Sequence, residues 1–154
     1  MKFRLLPVLA AVALLSACGT ASDESASGSM GKAAPAPGSV EEFMTVVGDR
    51  VHFGFDKYTL TPEAQATLRN QAAWLKRYSS TTLMIEGHAD ERGTREYNLG
   101  LGERRANSVK KFLMAQGVSA SRLKVTSYGK ERPECGDATE ACYTKNRRGV
   151  SVLH

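Results

Sequence analysis

The densest set of groups able to bind or react is Glu86-Gly87-His88-Ala89-Asp90-Glu91-Arg92-Gly93-Thr94. It joins an alternating apolar run, Leu83-Met84-Ile85, to a long helical run that contains Arg104 and Arg105. Asp56 ends a second strand-like run, and Arg147 and Arg148 precede a third. If the strands before Asp56 and Asp90 are parallel, both carboxylates leave the sheet at one edge, where open α/β sheets bind ligands. Carboxylates beside guanidiniums suit a zwitterion: a carboxylate takes an ammonium and an arginine forks onto a carboxylate. Other roles are open on spacing alone. Asp56 could cap the loop before Thr59, and Asp90 could satisfy backbone N–H groups at the start of the following helix. Adjacent helix positions point about 100° apart, so at least one of Arg104 and Arg105 faces solvent. His88 with Glu86 and Asp90 also has the residue types of a metal or acid–base site. The chain has three histidines, however, and shows no nucleophile with an adjacent base.

The elements that must hold these groups alternate. Ser39-Val40-Glu41-Glu42 has a capping-box pattern, whereas Gly48-Asp49 is a two-residue hairpin signal between Phe43–Val47 and Arg50–Phe53. Thr61-Pro62-Glu63 starts a helix with an N-cap, a proline in the first turn and an acid at the positive dipole end. Ala64, Leu68, Ala72, Leu75 and Tyr78 continue it at helical spacing, with Trp74 at the edge of the stripe. Thr82 to His88 alternates as a strand. Thr94 to Gln116 reads as the second helix, with Tyr97, Leu101, Val109, Phe112 and Leu113 as its apolar stripe and Gly117 as its C-terminal stop. Leu123–Tyr128 and Arg148–Leu153 read as two last strands, paired antiparallel across a turn-rich cysteine loop. The expectation is an α/β (α+β) two-layer sandwich of order βαβαββ with a mixed sheet.

The two chain ends add a setting. The sequence has 154 residues and a formal charge of +5, without the basic block and interleaved aromatics of a nucleic-acid binder. Lys2 and Arg4 precede an apolar run, Leu5 to Leu15. That run is shorter than the roughly 20 residues a membrane span needs, so residues 1–17 read as a signal peptide. Leu15-Ser16-Ala17-Cys18 resembles a bacterial lipobox, which makes Cys18 the expected lipidation site. Gly19, in place of an aspartate, points to outer-membrane sorting. Gly19 to Gly38 is built from Gly, Ala, Ser and Pro with few charges, so residues 18–38 read as a lipidated cysteine and a disordered tether. Residues 39–154 are then the folded domain. With Cys18 lipidated, Cys135 and Cys142 remain as an even pair, and an oxidising compartment favours a disulfide between them.

Together the motifs resemble the OmpA-like peptidoglycan-binding domain. Those that carry the likeness are Phe53-Gly54-Phe55-Asp56, Gly87-His88-Ala89-Asp90, Gly93, Tyr97-Asn98, Leu101, Arg105-Ala106 and Asn146-Arg147-Arg148, in that order from Val51 to Leu153. The resemblance implies non-covalent binding of peptidoglycan through meso-diaminopimelate of the stem peptide, with no cofactor and no catalysis. It assigns the contacts to Asp90 and Arg105, with Phe55, Asp56, Arg92, Thr94, Asn98 and Leu101 lining the pocket, and it makes Arg104 the outward arginine. For a lipid-anchored member it also implies TolB and other Tol-system proteins as partners, and a link between outer membrane and cell wall that serves envelope integrity and division. The cysteine pair lies outside the family pattern. The competing expectation is a periplasmic metal-dependent cell-wall hydrolase built on His88. A stator-type motility protein would need a true membrane span.

Overall fold

The computed structural model describes residues 33–154. The signal-peptide and Cys18 expectations, and most of the tether, lie outside those residues. The described chain begins with an irregular stretch and a turn, then a short helical segment, α1 (Val40–Glu42), which runs on as a π-helical turn over Phe43–Gly48. The order is then β1 (Arg50–His52), α2 (Pro62–Arg77), β2 (Leu83–His88), α3 (Arg95–Ala115), a 3₁₀ turn at Ala120–Arg122, β3 (Leu123–Gly129), α4 (Glu140–Asn146) and β4 (Arg148–Leu153).

The helix starts form for local reasons. Ser39, Thr61, Thr94 and Thr139 are extended N-caps whose hydroxyls accept from the backbone N–H three residues on, which satisfies donors that the first helical turn leaves free. Glu42 reaches back to the Gly38 N–H at 2.7 Å and also accepts from Trp74 Nε1 at 2.7 Å. The first turn is thereby tied to α2. Phe43 is buried while Met44 and Val46 are exposed, so the run before Gly48 is helical and the expected hairpin does not form. Gly48 has φ +90°; the same left-handed preference that suits a hairpin turn here ends a helix.

The sheet order is β1-β4-β2-β3. β4 is antiparallel to both β1 and β2, and β2 is parallel to β3. This corrects the expected pairing of the last two strands: β4 inserts between β1 and β2 instead of joining β3. The turn-rich connection before it contains α4, which gives β4 a route past β2. Since β1 and β2 are both antiparallel to β4, they run the same way, and Asp56 and Asp90 do leave the sheet at one edge.

Helices α2 and α3 cover one face of the sheet. Val51, Phe53, Leu68, Leu75, Leu83, Ile85, Val109, Leu113 and Leu123 form the core, the alternation of β2 placing Leu83 and Ile85 on the helix side. Gln71 is buried, but its amide is used at both ends: Nε2 donates to Gly48 O at 2.6 Å and Oε1 accepts from Ser151 Oγ at 2.9 Å. Among the described residues, no helix is long and apolar enough to cross a membrane.

One contact sets how closely α3 crosses β2. A Cβ on Gly87 would stand 1.8 Å from Gly102 O, and one on Gly102 would stand 2.8 Å from Gly87 O. Strand and helix therefore meet backbone to backbone, and α3 lies near enough for Arg105 to reach the end of β2. Gly87→Ala should push the two elements apart and cost about 3 kcal/mol, at the upper end of overpacking penalties. Urea denaturation reads the loss; a stability equal to the parent's would show that the contact is not tight.

Candidate functional site

The end of β1 and the end of β2 open onto one cavity of about 200 Å³, lined by Phe55, Asp56, Asp90, Arg92, Gly93, Tyr97, Asn98, Leu101 and Arg105. Every residue expected to line the pocket is there except Thr94. Thr94 instead caps α3, its hydroxyl accepting from Tyr97 N at 3.2 Å, so the capping role considered for Asp90 falls to Thr94. Tyr97 had been counted in the apolar stripe of α3. It is half exposed and turns to the cavity mouth, where its hydroxyl donates to Asp56. Asp56 takes φ +54°, a left-handed conformation that aspartate tolerates better than most residues.

Arg105 forms the floor. It is fully buried, and its three nitrogens each donate to a backbone carbonyl. Nε bonds Lys57 O at 2.8 Å, Nη1 bonds His88 O at 2.8 Å and Nη2 bonds Gly54 O at 3.0 Å. A guanidinium has five N–H groups, so these three bonds leave donors over. Burial pulls its pKa down to about 10, against the smaller opposing pull of Asp90, and it stays charged at neutral pH. Among the described residues no carboxylate forms an ion pair with it; Asp90 and Asp56 act on it only through space. Arg104, its neighbour, is exposed and lies against the rings of Tyr58 and Tyr97.

Asp90 is nearly buried, at 4 % exposure, and is heavily engaged. Oδ1 accepts from the Arg92 backbone N and from Arg92 Nε, both at 3.2 Å. Oδ2 accepts from Arg92 Nη2 at 2.7 Å and Arg147 Nη1 at 3.2 Å. Burial alone would raise this carboxyl, but the hydrogen bonds from Arg92 and Arg147 outweigh it and hold it below its ordinary value. Glu140 closes the ring from outside: it bonds Arg147 Nη2 at 2.7 Å and lies 3.5 Å from Arg92 Nη1. Two carboxylates and two guanidiniums thus balance one another, and Arg105 remains in the cavity lining with Asp56, whose charge acts on it without a direct ion pair. The loop backbone is fixed by Asn98 Nδ2 on Arg92 O at 2.9 Å and by Lys130 Nζ on Gly93 O at 2.7 Å.

The sequence reading overlooked Glu140, Tyr143 and Lys130. Thr139-Glu140 has the form of a helix start, but the surrounding Gly, Asp and Cys read as turns. Cys135 and Cys142 are joined by a disulfide, with Cα atoms 5.2 Å apart.

The hydrolase alternative finds no donor set. His88 is not among the residues lining the cavity, and among the described residues no group of three or more His, Cys, Asp or Glu is placed to hold a metal ion. The His88 ring is buried at 2 % exposure beside Tyr128, with Nε2 3.6 Å from Glu86 Oε2 and the Arg132 backbone close by. Its contribution to the site is its carbonyl, which holds Arg105.

Comparison with known proteins gives the same picture. The model of the OmpA family matches residues 52–147. A peptidoglycan-associated lipoprotein of Mesorhizobium japonicum is 45% identical over 95% of this chain and 90% of its own length. One of Agrobacterium fabrum is 50% identical over 80% of this chain and 70% of its own. The crystal structure of the peptidoglycan-associated lipoprotein from Burkholderia pseudomallei superposes with a TM-score of 0.69 at 36% identity, covering 72% of this chain and 96% of that one.

The His88 ring gives the domain an acid-sensitive point directly behind the cavity. Burial, then the positive charges of Arg148, Arg132 and Arg50, lower its pKa from 6.5 to about 4. The unfolded chain therefore takes up this proton first as pH falls, and stability should be lost between pH 6.5 and 4, by up to about 3 kcal/mol. His88→Leu should flatten that part of the pH profile, since it removes the group that titrates there. Thermal unfolding as a function of pH is the check, and a profile unchanged by the substitution would contradict it.

Proposed function

The chain belongs to the OmpA family, and from that premise we propose that it binds peptidoglycan non-covalently through the free end of meso-diaminopimelate in the stem peptide. The observation that carries this reading is the pairing of Arg105, a buried guanidinium with no ion-pair partner among the described residues, with Asp90 in the lining of the same cavity. A side-chain end bearing an ammonium and a carboxylate is the complement of that pair. The ligand's carboxylate takes the spare N–H donors of Arg105. Its ammonium goes to Oδ1 of Asp90, the oxygen held by the longer contacts, while Arg92 keeps Oδ2. Asp56 adds negative charge at the mouth, and Leu101 and Phe55 pack the aliphatic stem. The cavity is smaller than the 300–1,000 Å³ or so of a drug-sized site, which suits the tip of one residue and not a whole muropeptide.

In the same proposal residues 1–17 direct export, Cys18 carries the lipid, and residues 18–38 tether the domain to the outer membrane from the periplasmic side. One acyl chain holds only marginally and several hold firmly. The same proposal includes TolB and other Tol-system proteins as partners in joining outer membrane to wall during division, as the resemblance of its motifs implies.

The test is sedimentation with purified sacculi that contain meso-diaminopimelate. The parent chain should co-sediment. Asp90→Asn and Arg105→Lys, which keep much of the local shape, should each weaken binding by about thirtyfold or more, as when one partner of a desolvated charge pair is lost. Binding should hold across the neutral range. It should fall on the acid side only below the ordinary carboxylate value of 3.8, because Asp90 is held under it, and on the alkaline side as the ligand's ammonium loses its proton. Retention of both variants on sacculi would sink the site assignment.

A further inference from the structure

We propose that the disulfide-closed helix α4 is a working part of the ligand site: it positions Arg92, and through Arg92 the ligand-facing oxygen of Asp90. The inference rests on the zwitterion-clamp reading above and adds to it an element that the family motifs do not include.

Arg92 lies in the loop between β2 and α3, outside regular structure, and its side chain is 36% exposed. A long side chain so placed loses rotamer entropy when it is held still, so something must hold it. Its Cζ lies 4.2 Å from the centre of the Phe55 ring and 4.4 Å from that of Tyr143. Both rings are within cation–π distance of the one guanidinium. Glu140 meets one end of the group at 3.5 Å and Asp90 takes the other. Two of these four contacts, Tyr143 and Glu140, come from α4. Tyr143 also donates its hydroxyl to Glu91 at 2.8 Å, which ties α4 to the residue next to Arg92.

Helix α4 has seven residues, too few to persist alone in water. Both of its ends are pinned to the segment just before it. Cys142 is bonded to Cys135. The Asn146 amide accepts from the N–H groups of Glu134 and Cys135 and donates to Cys135 O. No side chain of α4 belongs to the main hydrophobic core. The disulfide therefore stabilises an element whose inward contacts are with Glu91, Arg92 and Arg147, the last two of which hold Asp90. A fastening that served the core alone would not need to place Tyr143 on Arg92.

The test uses the full chain in detergent, titrated calorimetrically with free meso-diaminopimelate. Tyr143→Ala should weaken binding about tenfold, within the range of a partly desolvated cation–π contact. Tyr143→Phe keeps the ring and should bind within about twofold of the parent. Removing the disulfide with Cys135→Ser and Cys142→Ala together should weaken binding to a similar degree. Adding Tyr143→Ala to that variant should cause little further loss, since both changes act through one element. Thermal melts of each variant confirm that the core is intact. Parent-like or tighter binding by Tyr143→Ala and by the disulfide-free chain would overturn the inference, as would a loss in Tyr143→Phe as deep as in Tyr143→Ala. A parent chain that does not bind meso-diaminopimelate would overturn the clamp reading itself, and this inference with it.

Discussion

The domain turns on the three hydrogen bonds that Arg105 makes to the carbonyls of Gly54, Lys57 and His88. They fasten the loop after β1 and the end of β2 to the middle of α3, and these are the three places that supply the cavity. A buried charge is expensive unless it is well bonded. Backbone carbonyls meet part of that cost but carry no net charge, so the guanidinium remains a fixed positive centre under a small opening. One arrangement thus fixes the loop geometry and leaves a binding potential unspent. The close crossing at Gly87 and Gly102 is what makes it possible, because any side chain there would hold α3 away from His88.

Asp90 is the counterpart. Its carboxylate is oriented by Arg92 and Arg147 before any ligand arrives, and Glu140 balances those two cations from outside. Preorganisation of this kind lowers what binding must spend on ordering side chains. The site therefore has a layered construction: a rigid floor from β2 and α3, a mouth of Phe55, Asp56 and Tyr97, and an outer brace from α4.

Much of this was legible in the residues. The caps Ser39, Thr61 and Thr94, the spacing of Leu68, Ala72 and Leu75, and the alternation of Leu83 and Ile85 each fix a local element, and local elements follow from local rules. The pairing of β4 was not legible. It depends on competition among strands of similar composition, which is settled by the packing of the whole sheet. Gly48-Asp49 misled because a left-handed glycine serves hairpins and helix ends alike. In the site, Asp90 and Arg105 were accessible through motif and spacing, and so was the outward orientation of Arg104. The brace was not, because Glu140 and Tyr143 lie about fifty residues from Asp90 and Arg92, in a stretch whose glycine and cysteines read as loop. The part His88 plays in the site was not legible either, because the site uses its backbone oxygen, which accepts from Arg105, and a side-chain pattern carries no signal for that.

The central claim is that the cavity reads both charges at the end of one side chain. Calorimetry with two soluble stem peptides tests it most directly, one ending its third residue in meso-diaminopimelate and the other in lysine, which keeps the ammonium and lacks the neighbouring carboxylate. The account predicts measurable binding of the first and a loss of about a hundredfold or more for the second, since Arg105 would be left buried without its anion. Equal affinity for the two peptides would contradict it.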